Sequence, residues 1–83
     1  SYVVLTSNQD GELLVLYFAN DGYGMQLAKF DVNHNLIGTR AYGDLQTHSF
    51  PLDVTVLDDD RIQIVGYTMD YEIVIYREDD VIE

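Results

Sequence analysis

The chain has 83 residues, 47% of them hydrophobic, with seven Tyr, three Phe and a net charge of −11. One small globular domain fits that profile and disorder does not, because the apolar content is enough for a core despite the charge. Four Lys and Arg against fifteen Asp and Glu argue against nucleic acid and against a membrane surface as partners, since both are gripped by basic side chains; the lack of Cys removes disulfides and thiolate zinc sites.

In chain order, seven apolar runs rich in β-branched and aromatic residues alternate with turn formers. YVVLT (2–6) ends at SNQDG, ELLVLYFA (12–19) at NDGYG, MQLAKF (25–30) at DVNHN, and LIGTRAY (36–42) at GDLQTHSFP. LDVTVL (52–57), RIQIVGYT (61–68) and YEIVIYR (71–77) complete the series. Without a helical period between them, these runs predict an all-β domain of antiparallel strands. No apolar run approaches the roughly 18 residues that span a bilayer, and the start at Ser1 fits a processed form or a piece of a longer chain.

The runs also repeat. NQDGELLVLYFAND (8–21) aligns with LDDDRIQIVGYTMD (57–70), placing Asp10 on Asp59, Leu13 on Ile62, Val15 on Ile64, Phe18 on Tyr67 and Asp21 on Asp70. A three-residue deletion then sets Leu27 on Ile73 and Phe30 on Tyr76. Two units follow, about 1–46 and 50–83, the second short of its fourth strand. Periods in the forties with four strands per unit belong to radially repeated β folds. Within the units, LLVLYF is apolar on both alternating faces, as a strand covered on both sides requires. RIQIVGYT alternates, with Ile62, Ile64 and Gly66 on one side and Gln63, Val65 and Tyr67 on the other.

Lys29-Phe30-Asp31, the Asn33–Asn35 turn, Tyr42-Gly43, Asp53, the Asp58–Asp60 turn and Gly66-Tyr67-Thr68 carry a resemblance over nearly the whole chain. In that order they resemble the blade repeats of bacterial β-propeller proteins. The resemblance implies two tandem propeller-like blades, the second incomplete; a compact seven-stranded sandwich or barrel built by duplication is the alternative. Asp60 stands where such repeats usually carry Gly, and Tyr17-Phe18-Ala19 where they carry Gly-aromatic-Thr.

The spacing of Asp31, Asn33 and Asn35 is that of a calcium loop opening, but an EF-hand would need Gly at its sixth position and Glu at its twelfth; the chain has Leu36 and Tyr42. DVNHN is therefore read as a hairpin turn built by side chains that bond the local backbone. His34 and His48 have no spaced partners for a metal. Asp44, His48 and Ser49 lie close in sequence but lack a nucleophile elbow. No catalytic set and no cofactor emerge, and the chain reads as a non-enzyme.

Binding residues are expected in turns. Asp21 with Tyr23, and Asp70 with Tyr71, pair an acid with an exposed ring, a combination suited to peptide or carbohydrate recognition. Asp58, Asp59 and Asp60 could accept basic groups. The function expected is a binding or assembly module that self-associates or belongs to a larger propeller. The alternative, motivated by the charge, is a small acidic inhibitor or immunity-type protein that covers a basic protein partner.

Overall fold

A computed structural model describes residues 3–18, 24–43 and 48–79 of the chain. Its strands are β1 (Val3–Ser7), β2 (Leu13–Phe18), β3 (Met25–Phe30), β4 (Leu36–Tyr42), β5 (Ser49–Val56), β6 (Ile62–Thr68) and β7 (Ile73–Glu78). They form two antiparallel meanders, a four-stranded sheet β1-β2-β3-β4 and a three-stranded sheet β5-β6-β7. The protein is all-β, and among the described residues there is neither a helix nor a closed barrel.

The largest departure from the expected strands is the start of β5 at Ser49, ahead of Pro51, in a stretch read as loop. Pro51 cannot donate to a ladder, but β5 is an edge strand and the register shifts between Pro51 and Asp53, which accommodates it.

Four hairpin turns share one construction. In each, the first residue and the fifth exchange a ladder bond, and the fourth donates its N–H back to the first: Asn8/Gly11/Glu12, Asp31/His34/Asn35, Leu57/Asp60/Arg61 and Thr68/Tyr71/Glu72. The fourth residue is always left-handed, with φ of 79° at Gly11, 68° at His34, 67° at Asp60 and 62° at Tyr71. In three turns the first side chain accepts from the third and fifth backbone N–H groups: Asn8 Oδ1 from Asp10 and Glu12, Asp31 Oδ1 from Asn33 and Asn35, and Thr68 Oγ1 from Asp70 and Glu72. Asp31 thus spends its carboxylate on its own turn. The backbone bonds to Asn35 and Asn33 hold its pKa below the ordinary value.

Paired residues in an antiparallel ladder lie on the same face, so the register assigns each side chain to a side. The inner face of the first sheet carries Val4, Leu14, Leu16, Met25, Leu27, Lys29, Arg40 and Tyr42. It packs on Val54, Val56, Ile62, Ile64, Gly66, Val74 and Tyr76 of the second sheet, forming the core. Met25 fills the space left by Gly66, where an added Cβ would come within 2.7 Å of its sulfur. At β4 and β7 the core closes with a polar clasp: Arg40 Nη1 and the Tyr42 hydroxyl both donate to Glu78 Oε2, at 2.8 and 3.0 Å. The Tyr42 and Tyr76 rings meet at 5.5 Å beside it. Burial, and then the bond to Glu78, push the Tyr42 pKa up to about 12.

Candidate functional site

The residues expected to bind separate to opposite ends of the strands. The β6–β7 turn carries Asp70 and Tyr71 at one end; the β5–β6 turn carries Asp58, Asp59 and Asp60 at the other. Asp21 and Tyr23 lie outside the described residues. No single site gathers all seven.

Tyr71 is the most unusual of them. The residue is 88% exposed and its backbone is left-handed, a conformation that a bulky side chain adopts only at a cost. The left-handed φ is the one that all four hairpin turns place at this position, so the turn imposes it on Tyr71. Asp60 holds the same turn position at the other end, also exposed. Asp59 is committed locally: Arg61 Nε donates to it at 2.7 Å, and that pair holds the Asp59 carboxyl below its ordinary pKa.

Between the β1–β2 and β5–β6 turns lies a polar cleft of about 260 Å³, lined by Asn8, Gln9, Asp10, Lys29, Val56 and Asp60. Lys29 projects from the inner face of β3 and is buried, its ammonium 3.2 Å from Glu12 Oε1. Asn8 Nδ2 donates to the same oxygen at 2.8 Å, and the Asn8 bond, ahead of Lys29, keeps the Glu12 pKa low. Lys29 is thus paired within the first sheet, and the cleft's remaining charges, Asp10 and Asp60, leave its rim acidic. Sequence reasoning missed it because Lys29 and Glu12 become neighbours only through the β2–β3 register. Among the described residues no three His, Asp or Glu side chains converge as metal ligands would.

The broadest unexplained feature is a surface. The outer face of the first sheet presents Val3, Leu5, Ser7, Leu13, Val15, Tyr17, Gln26, Ala28, Phe30, Thr39 and Ala41. None of these carries a charge, in a chain with nineteen Asp, Glu, Lys and Arg residues; both charged residues of the sheet's strands, Lys29 and Arg40, point inward. Tyr17 and Gln26 bond each other across the face at 2.6 Å. Val3 and Leu5 are at least half exposed. The second sheet's outer face is mixed: Asp53, Thr55, Gln63 and Arg77 form a polar end, and Val65, Tyr67, Ile73 and Ile75 an apolar one. The two-sided apolarity of LLVLYF implied cover on both sides; within the described residues only its inner face is covered.

No family model, curated protein or solved structure matches this chain.

Proposed function

We propose that the two sheets are propeller-like blades and that the chain is a non-enzymatic assembly module, acting through protein contacts made by its uncovered sheet faces. The observation that carries this reading is the charge-free outer face of the first sheet. A solvated β face normally alternates apolar-in with polar-out, and a patch of contiguous apolar side chains left in water marks an interaction surface. Depletion of charge is the compositional mark of an interface core. The chain puts its charge into turns and keeps it off this face.

Absolute mass by light scattering, from micromolar to near-millimolar concentration and at low and high salt, tests the reading. A discrete oligomer that persists or strengthens as salt rises is expected, because the buried contact is apolar and salt screens the repulsion between chains of net charge −11. A monomer under every condition overturns self-association. In that case binding that weakens steeply with salt would favour the acidic-inhibitor alternative.

A further inference from the structure

We propose that the outer face of the first sheet is covered by the outer face of the second sheet of another copy, packed head to tail. This rests on the assembly reading above and names its partner. The structural basis is the strand register. Setting β2 on β6 at 49 positions, as the sequence suggests, puts Val15 on Ile64. Val15 pairs with Leu5 and Ala28, and Ile64 pairs with Val54 and Tyr76. The ladders thus align Leu5 with Val54 and Ala28 with Tyr76, so β3 and β7 differ by 48 positions. Leu27 falls on Ile75 and Met25 on Ile73, two places from the alignment by residue class.

That superposition reverses the faces. The outer face of the first sheet corresponds to the inner face of the second: Leu5, Leu13 and Val15 to Val54, Ile62 and Ile64. The inner face of the first corresponds to the outer face of the second: Leu16, Met25 and Leu27 to Val65, Ile73 and Ile75. Lys29 likewise falls on Arg77. Leu5 is 63% exposed where Val54 is 4%; Ile73 and Ile75 are 60% and 53% exposed where Met25 and Leu27 are fully buried. Leu5, Ile73 and Ile75 are therefore exposed counterparts of positions that the chain already buries, and the two open faces correspond to the two halves of the existing core.

A contact whose two sides are different surfaces is heterologous. Repeated around an axis it closes into a ring, whereas a two-fold dimer would pair one face with itself. In the contact between copies, Ile73 would occupy the place of Met25 and Tyr17 that of Gly66, with Tyr71 at the rim nearby.

Two single variants test the pairing. Leu5→Glu blocks the first outer face and Ile75→Glu the second; both positions are more than half exposed in one chain, and far-UV circular dichroism checks that each still folds. Each variant alone is expected to lose association by about a hundredfold or more, as an unpaired charge in an apolar contact does. Mixed, they retain one good face each and should form a 1:1 heterodimer, read by light scattering. An Ile75→Glu chain that still self-associates, or a mixture that stays monomeric while the native chain assembles, overturns the head-to-tail pairing alone. A native chain that stays monomeric overturns the assembly reading beneath it.

Discussion

The two faces of the four-stranded sheet are both apolar at their centres and end differently. Leu14, Leu16, Met25 and Leu27 are fully buried on one side, while Leu5, Val15 and Tyr17 on the other keep solvent contact. Residue type does not account for the difference. The inner face of the second sheet, from Val54 and Ile62 to Tyr76, is what covers the inner face of the first, and nothing within the described chain covers the outer one. Burying apolar area stabilises by roughly 25 cal/mol per Å², so the inner face holds the fold together and the outer face retains an unspent drive towards a partner. The same logic explains why the second sheet is polar at one end only: Gln63 and Arg77 bond each other at 2.7 Å, whereas Ile73 and Ile75 have no covering layer within the described chain.

Breaking matched positions separates the two roles. Leu27→Ala should destabilise the fold by about 2–5 kcal/mol, the cost of a cavity at a fully buried site. Its counterpart Ile75→Ala should change folding by about 0.5 kcal/mol or less, yet weaken association; urea titration of dilute protein and concentration-dependent mass measure the two effects. Next in size, Gly66→Ala should cost about 1–3 kcal/mol by overpacking, because the new methyl would sit 2.7 Å from the Met25 sulfur and 2.8 Å from the Phe50 carbonyl oxygen. Tyr17→Ala, its counterpart across the repeat, should spare the fold and reduce assembly.

The Tyr42 clasp gives a pH-dependent version of the comparison. Below pH 10 the folded and unfolded chains both keep the tyrosine proton, and its contribution is intact. Between about 10 and about 12 the unfolded chain ionises first, so stability falls as pH rises through the folded pKa. Tyr42→Phe should flatten that fall relative to native protein in alkaline denaturation curves. The smallest effect is at Tyr71: Tyr71→Gly relieves a left-handed backbone and should stabilise the chain by up to about 1 kcal/mol. If the ring serves contact, the same change lowers partner affinity, so that folding and binding move in opposite directions.

Much of the fold was legible in sequence because strand periodicity and turn chemistry are local. LLVLYF is apolar on both faces, of which the described chain covers one, and Asp60 in the acidic turn before β6 is a left-handed turn residue. The register of β7 was less legible: matching by residue class put Leu27 on Ile73, whereas hydrogen-bonded pairing puts it on Ile75. An even slip of two preserves which side each residue faces, so class alone cannot detect it. The polar clasp of Arg40, Tyr42 and Glu78 was invisible for another reason, since 38 positions separate Arg40 from Glu78 and nothing local couples them. Of the turn residues expected to bind, Asp70 and Tyr71 fall far from Asp58, Asp59 and Asp60. The two turns flank β6, and consecutive hairpin turns necessarily cap opposite ends of the strand between them.

The central claim, that the two outer faces belong to one contact, is tested most directly by crosslinking. The chain contains no cysteine, so Tyr17→Cys and Ile73→Cys can be made separately, mixed and oxidised. Crosslinks between unlike variants, with few between like ones, are the predicted result, because residue 73 of one copy should lie over residue 17 of the next as Met25 lies over Gly66. Crosslinks formed equally well within each variant alone, or none above a control carrying cysteine in the β3–β4 turn, would contradict it.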